Sequence, residues 1–284
     1  MSNILSNSPL RYPGGKSKLY SYTKDLISKN NLDGCTYVEP FAGGCGLAIT
    51  LLLQGVVSKL VLNDIDRSIY AFWYSVLNHT DELCKLIVET PITVDQWNIQ
   101  KRIQNNKEIE SLLSLGFSTF FLNRTNRSGV IAAGPIGGKS QNGNYKIDCR
   151  FNKKDLIDRI LEISKHKNNI SFYNYDASYF LKRVVSRQRK DTFIFFDPPY
   201  YEKGPGLYLN HFKHDDHEAL ARVIEKSKQL NWVVTYDNNS KIKDIYSKFD
   251  KQVYSLRHTA HTSKQGSEVM IYSDKIQSVP FRSE

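Results

Sequence analysis

Thr36-Tyr37-Val38-Glu39 runs directly into Pro40-Phe41-Ala42-Gly43-Gly44-Cys45-Gly46. β-Branched and aromatic residues ahead of a proline read as a short strand, and the glycines after it read as a tight turn. Residues 47–54 are an apolar helical run that Gly55 stops. Residues 59–62 form a second strand that ends in Asn63-Asp64. Strand, glycine turn, helix, strand and acid make a βαβ half-unit. The expected fold is therefore α/β, with a Rossmann-like sheet.

Outward from this unit, residues 19–28 read as a helix on the N-terminal side. After Asp66 the pattern changes. Residues 67–79 are an aromatic-rich helix, and helical character continues to Leu122. A loop rich in Gly and Asn follows over 123–144, then a helix over 156–165. Strand character returns at 170–174, followed by Tyr175-Asp176 and a basic helix. Residues 192–196, Thr-Phe-Ile-Phe-Phe, are apolar throughout, as in a central strand buried on both faces. A helix over 217–229, a buried strand over 232–235 and a closing antiparallel pair over 252–256 and 268–272 complete the chain. The simplest architecture is a discontinuous sheet domain, 1–66 plus 166–284, interrupted by a mostly helical insertion at 67–165.

The chain has 284 residues, which suits one large domain or one domain with an insertion. Its 17 Tyr, 14 Phe and 3 Trp exclude a mainly disordered state. No apolar run reaches the roughly 18 residues of a membrane span, so no membrane association is expected. The N-terminus lacks the charged and apolar regions of a secretion signal. Cys35, Cys45, Cys84 and Cys149 are scattered, which argues against a disulfide framework or a zinc site and fits a reducing cytoplasm. No metal site is expected.

The net charge of +10 points to a polyanionic partner. The excess is concentrated: residues 98–170 hold 13 Lys/Arg against 6 Asp/Glu. Any single basic run there reads as a solvated helix face. The concentration of so many in one segment reads as a binding surface, and nucleic-acid binding through it would depend on salt.

Asp197-Pro198-Pro199-Tyr200 follows the buried strand. Ligands of open α/β sheets sit outside the carboxyl ends of the strands. The prolines fix φ and carry no N–H, so this turn presents carbonyls, one carboxylate and one aromatic face. That set suits a planar NH2 group. Its hydrogens would go to Asp197 and to the Pro198 carbonyl, and its ring would stack on Tyr200. Polarised in this way, the nitrogen can attack an electrophilic methyl in line, with positioning and electrostatics supplying most of the acceleration. As a bare tetrapeptide the motif is only a turn after a strand; its context decides.

The context resembles the Dam-type adenine-N6 DNA methyltransferases over nearly the full length, in the family's order. Arg11-Tyr12-Pro13-Gly14-Gly15-Lys16 is similar to the aromatic-x-GGK motif, and Glu39 to Gly46 to the EPFxGxG motif. Leu62-Asn63-Asp64-Ile65-Asp66 matches LND, and Phe121-Leu122-Asn123-Arg124 the start of the recognition loop. Tyr175-Asp176-Ala177, the DPPY run and then Tyr208 with Phe212 in a flap follow in order. The resemblance implies a class I methyltransferase fold and S-adenosyl-L-methionine as cofactor. The implied cofactor residues are Tyr12, Lys16, Glu39, Phe41, Gly43, Asp64, Asp176 and Asp197. The implied catalytic residues are Asp197, Pro198, Pro199 and Tyr200.

The residues themselves leave alternatives. Asp64, 18 residues past Gly46, suits ribose hydroxyls, but it can equally cap the next helix, and Asp176 has the same alternative. Lys16 is either a surface lysine or a group near the methionine carboxylate or the DNA.

An adenine amine in a duplex is paired, so the base must be extruded. Candidate DNA contacts are Arg124, Asn126, Arg127, Ser128 and Lys139, where arginines can meet phosphates or guanine edges and Asn or Ser can equally be plain turn formers. Arg127-Ser128-Gly129-Val130-Ile131-Ala132 lacks the aromatic and the later arginine of GATC-methylating members, so a GATC target is not implied. The expected partner is double-stranded DNA, with a cognate restriction endonuclease as a separate chain. The competing readings are methylation of RNA adenine or of a protein glutamine amide, and a non-catalytic DNA binder.

Overall fold

The computed structural model describes residues 7–11, 16–188, 190–202, 212–227, 229–256 and 266–281. The described chain divides into two compact units. One comprises Met1–Ser17, Gly43–Leu53 and Asp64–Asn174; the other comprises Lys18–Ala42, Gln54–Asn63 and Tyr175–Glu284.

The second unit is built on β4 (Thr192–Phe196), which is buried at every position. It pairs in parallel with β1 (Thr36–Glu39) on one side and with β5 (Asn231–Asp237) on the other. This two-sided cover explains its unbroken apolar run. β2 (Lys59–Asn63) continues the sheet in parallel beyond β1. At the other edge β7 (Gly266–Tyr272) lies antiparallel to both β5 and β6 (Lys251–Leu256). The strand order within the unit is thus β2-β1-β4-β5-β7-β6, a Rossmann-like sheet closed by the expected antiparallel pair. β5 runs to Asp237, two residues past its expected end. The helices of this unit are α1 (Tyr20–Lys29), α8 (Ala177–Arg183), α9 (His214–Glu225) and α10 (Ser240–Ile245).

Among the described residues the first unit is mostly helical: α2 (Gly46–Leu53), α3 (Arg67–Asn78), α4 (Thr80–Glu89), α5 (Val94–Asn105), α6 (Leu112–Thr125) and α7 (Lys153–Ser164), with one strand, β3 (Ile170–Tyr173). α6 is buried from Leu115 to Asn123. An apolar surface all round marks a helix enclosed by others. At Gly116 a Cβ would lie 2.5 Å from the Ala71 carbonyl oxygen and from Ser75 Oγ, so only glycine permits the approach of α6 to α3.

The unit containing 67–165 also takes in the N-terminal segment, the glycine turn with α2, and 64–66 and 166–174. Long-range bonds bind these pieces in: Trp73 Nε1 donates to the Gly43 carbonyl at 3.0 Å, and Asp64 N to the Tyr173 carbonyl at 3.1 Å. Among the described residues, no helix is long and apolar enough to cross a membrane.

Candidate active site and nucleic-acid surface

In the second unit, Asp197-Pro198-Pro199-Tyr200 leaves the carboxyl end of β4, and the end of β5 holds it from two sides. Thr235 Oγ1 donates to Asp197 Oδ1 at 2.8 Å. The Asp237 carboxylate accepts the next two backbone amides, Tyr201 N on Oδ1 and Glu202 N on Oδ2, both at 2.9 Å. Asn239 Nδ2 then donates to Glu202 Oε1 at 2.7 Å. Thr235 and Asp237 are two apart on one strand and so share a face. Neither was singled out from the sequence. The signal available was a polar Thr-Tyr-Asp-Asn-Asn ending to an otherwise apolar strand.

Tyr200 is buried, and its hydroxyl is bonded to Glu268, which also accepts Tyr254 Oη at 2.8 Å. Burial first, then the charges of Asp197 and Glu268, push the Tyr200 phenol well above its ordinary range, so it stays a neutral aromatic. Pro198 is buried, while Asp197 and Pro199 are half-buried. Glu39, at the end of β1, is buried and accepts from Tyr37 Oη at 3.2 Å. Phe41 meets Phe212 edge-on, with ring centroids 6.0 Å apart. Asn63 ties the loops after β1 and β3 together: Nδ2 donates to the Pro40 and Tyr175 carbonyls at 3.0 Å, and Oδ1 accepts Tyr175 N at 2.9 Å. Asp176 is exposed and caps α8, with Oδ1 accepting Ser178 N and Tyr179 N.

In the first unit, Asp66 is the residue that caps α3. Asp64 instead pins the glycine turn. Its Oδ2 accepts Gly43 N at 2.8 Å and its Oδ1 accepts Asp66 N at 2.9 Å. Gly43 sits at φ 48°, in the left-handed region. Burial outweighs the two amides and pushes the Asp64 carboxyl up to about 7. Lys16 is buried, which is not the surface lysine its sequence context allowed. Tyr12 and Tyr208 lie outside the described residues.

The 123–144 loop is held by bonds within it and by bonds to the N-terminal segment and to α5. Asn123 clasps the backbone of Arg11: Oδ1 accepts Arg11 N and Nδ2 donates to the Arg11 carbonyl, both at 2.7 Å. Asn126 is fully buried. Its Oδ1 accepts Trp97 Nε1 at 2.6 Å, and its Nδ2 donates to the Val130 and Ile131 carbonyls at 2.9 Å. Here its side chain builds the turn. Arg124 is half-buried, with Nε donating to the Pro9 carbonyl at 2.7 Å. Arg127, Ser128 and Lys139 are exposed. Lys101 and Lys139 each place an ammonium over the Trp97 ring, at 5.7 and 5.8 Å. The three, with Asp95, Asn98, Ile99, Arg102 and Asn105, line an open cleft of about 630 Å³ whose charged groups are mostly basic.

Three of the cofactor-binding candidates are acids at strand ends. Glu39 ends β1, Asp64 follows β2 and Asp176 follows β3.

The chain is similar to known proteins. A family model described as D12 class N6 adenine-specific DNA methyltransferase matches residues 12–262. The type II methyltransferase M.MjaIII of Methanocaldococcus jannaschii is 23% identical over 235 residues, covering 76% of this chain and 78% of that protein. The type II methyltransferase M1.LlaDCHI of Lactococcus lactis subsp. cremoris is 22% identical over 235 residues, covering 78% and 76%. Among solved structures, the rRNA methyltransferase aviRa from Streptomyces viridochromogenes superposes with a TM-score of 0.41 at 11% identity, over 93% of this chain and 87% of that one. With the family model spanning most of its length, the chain belongs to the D12 class N6 adenine-specific DNA methyltransferases, enzymes that methylate adenine at specific sites in DNA with a methyl donor of the S-adenosylmethionine type.

Proposed function

We propose that the protein transfers a methyl group from S-adenosyl-L-methionine to N6 of an adenine extruded from duplex DNA. The observation that carries this reading is the double anchoring of the DPPY turn, with Thr235 on Asp197 and Asp237 on the following amides. The carboxylate and the Pro198 carbonyl accept the two N–H groups of the amine, and Tyr200 offers its face to the ring. Thr235 fixes the orientation of the carboxylate, so the amine is oriented before it reacts, and this preorganisation supplies the acceleration. Tyr12, Lys16, Glu39, Phe41, Gly43, Asp64 and Asp176 hold the cofactor, which when bound supplies the sulfonium methyl. Asp64 accepts from ribose hydroxyls and Asp176 from the adenine amine, the latter in addition to its capping role.

Arg124, Arg127, Ser128 and Lys139 face the DNA, and Asn126 supports them by shaping the loop. Type II relatives support a partnership with a separate restriction endonuclease. The test is incubation with labelled S-adenosyl-L-methionine and either duplex DNA or RNA of the same sequence. Label at adenine N6 of the duplex is expected. Label in RNA alone, or in neither, overturns the reading.

A further inference from the structure

Four arginines in the first unit come from three distant stretches of sequence and converge. Arg124 donates to the Pro9 carbonyl through Nε, and Arg159 Nη1 lies 3.4 Å from the adjacent Ser8 carbonyl. Arg11, two residues further on, is held by Asn123, the neighbour of Arg124. Arg150 is exposed and close enough that its charge acts on both Arg11 and Arg124.

Among the described residues, counter-charge is scarce. Asp155 is the carboxylate that acts on Arg124, and it is already engaged by Arg159 at 3.1 Å. Burial and the neighbouring guanidiniums, Arg159 and Arg11 foremost, lower Arg124 to about 10. Burial and then Arg150 lower Arg11. Arg11 Nη1 is buried with no hydrogen-bond partner among the described residues. A buried charged donor left unsatisfied is costly, and a cluster of like charges with one shared carboxylate is relieved by an anion. Planar guanidinium forks match the oxygens of a phosphate.

The cluster adjoins the loop expected to read DNA. Asn123 Nδ2 also donates to the Gly129 carbonyl at 2.9 Å. A Cβ at Gly129 would lie 2.4 Å from the Arg11 carbonyl oxygen, so the loop rests directly on the Arg11 backbone. Exposed Arg127 and Ser128 precede that contact in the chain.

We infer that Arg11, Arg124, Arg150 and Arg159 form one anion site that takes a single backbone phosphate of the DNA, next to the bases the loop reads. The inference rests on the reading of this protein as a DNA methyltransferase. It assigns Arg11, Arg150 and Arg159 to the DNA interface and makes Arg124 a phosphate contact rather than a base reader.

The test is binding of a labelled mixed-sequence duplex at several salt concentrations, for wild type, Arg150→Gln, the pair Arg11→Gln with Arg150→Gln, and the exposed control Lys24→Gln. Each phosphate contact contributes about 0.9 to the slope of log K against log salt. The pair variant is expected to lose about one such increment, because the two residues serve one phosphate. Arg150→Gln alone is expected to weaken binding roughly tenfold, the scale of one charge-assisted hydrogen bond. Being exposed and without a hydrogen bond among the described residues, Arg150 keeps the test valid if the pair variant fails to fold.

Slopes and affinities equal to those of Lys24→Gln overturn the site, and a loss of two increments overturns its being shared. In a second arm, inorganic phosphate is expected to raise the melting temperature of wild type and not of the pair variant. That result with an unchanged DNA slope identifies the ligand as a free anion and overturns the DNA assignment. Methyl transfer by wild type to the duplex is scored separately. Its absence defeats the parent reading, whereas its presence with control-like slopes defeats the anion site alone.

Discussion

Asp197 accepts a hydrogen bond from Thr235 while Asp237 fastens the two amides beyond the prolines, so the end of β5 orients the carboxylate of the turn and holds the turn itself. Asp197→Ala removes the acceptor proposed for the amine. It is expected to abolish methyl transfer and to leave most of the DNA affinity; near-wild-type turnover would defeat the mechanism. Asp237→Asn keeps one acceptor oxygen for two amides and loosens the turn. Misplacement by an ångström costs up to about 100-fold in rate, so kcat is expected to fall by about that factor while the KM for DNA stays close to wild type. Wild-type kcat in a folded Asp237→Asn protein would show that the clamp is dispensable.

Asp64 bears on pH. Its carboxyl is raised to about 7 from an ordinary 3.8, so the folded state binds the proton more tightly than the unfolded chain. Its contribution to stability is full below about pH 4 and is lost as the pH rises through 7. An ionised carboxylate is the better acceptor for ribose hydroxyls, so the KM for cofactor is expected to fall between about pH 6 and 8. Asp64→Asn is expected to flatten that profile. A profile identical to wild type would remove Asp64 from the cofactor site.

Helix α6 shows how an element can be legible while its partner is not. Its apolar residues announce a buried helix, but nothing local says that Gly116 must meet the backbone of α3. Gly116→Ala puts a Cβ 2.5 Å from the Ala71 carbonyl oxygen. Overpacking of this kind costs roughly 1–3 kcal/mol, which a shifted urea midpoint would register; an unchanged midpoint would mean that the helices part freely. β4 was readable because a strand covered on both faces must be apolar throughout. The end of β5 was missed because Thr235 and Asp237 are polar residues whose partners lie on the turn after a different strand.

For the molecule as a whole, His217 is expected to make stability fall in acid. It is fully buried against Tyr236, with Nδ1 3.0 Å from the phenol oxygen, and burial pushes its pKa down to about 4. The unfolded chain therefore takes up the proton first. Stability is full above about pH 6.5 and is lost as the pH falls toward 4. His217→Gln is expected to blunt the fall in urea midpoint across that window, and an acid limb as steep as wild type would assign it to other groups.

The succession of strands along the chain, the glycine turn, the buried central strand, the DPPY turn and the family they imply could all be read from the sequence, because burial and turn chemistry write local patterns of residue type. Which acid caps a helix and which pins Gly43 could not. Asp64 and Asp66 both precede α3 closely enough to cap it, and only the returning Gly43 amide separates their roles. The loop told the same story: Asn126 and Ser128 look alike in sequence, yet one is walled in by Trp97 and the other is exposed. The arginine cluster depends on bringing residue 11 beside residue 123. Charge density is visible in a sequence, but repulsion depends on distance, and distances across more than a hundred residues exist only once the chain has folded.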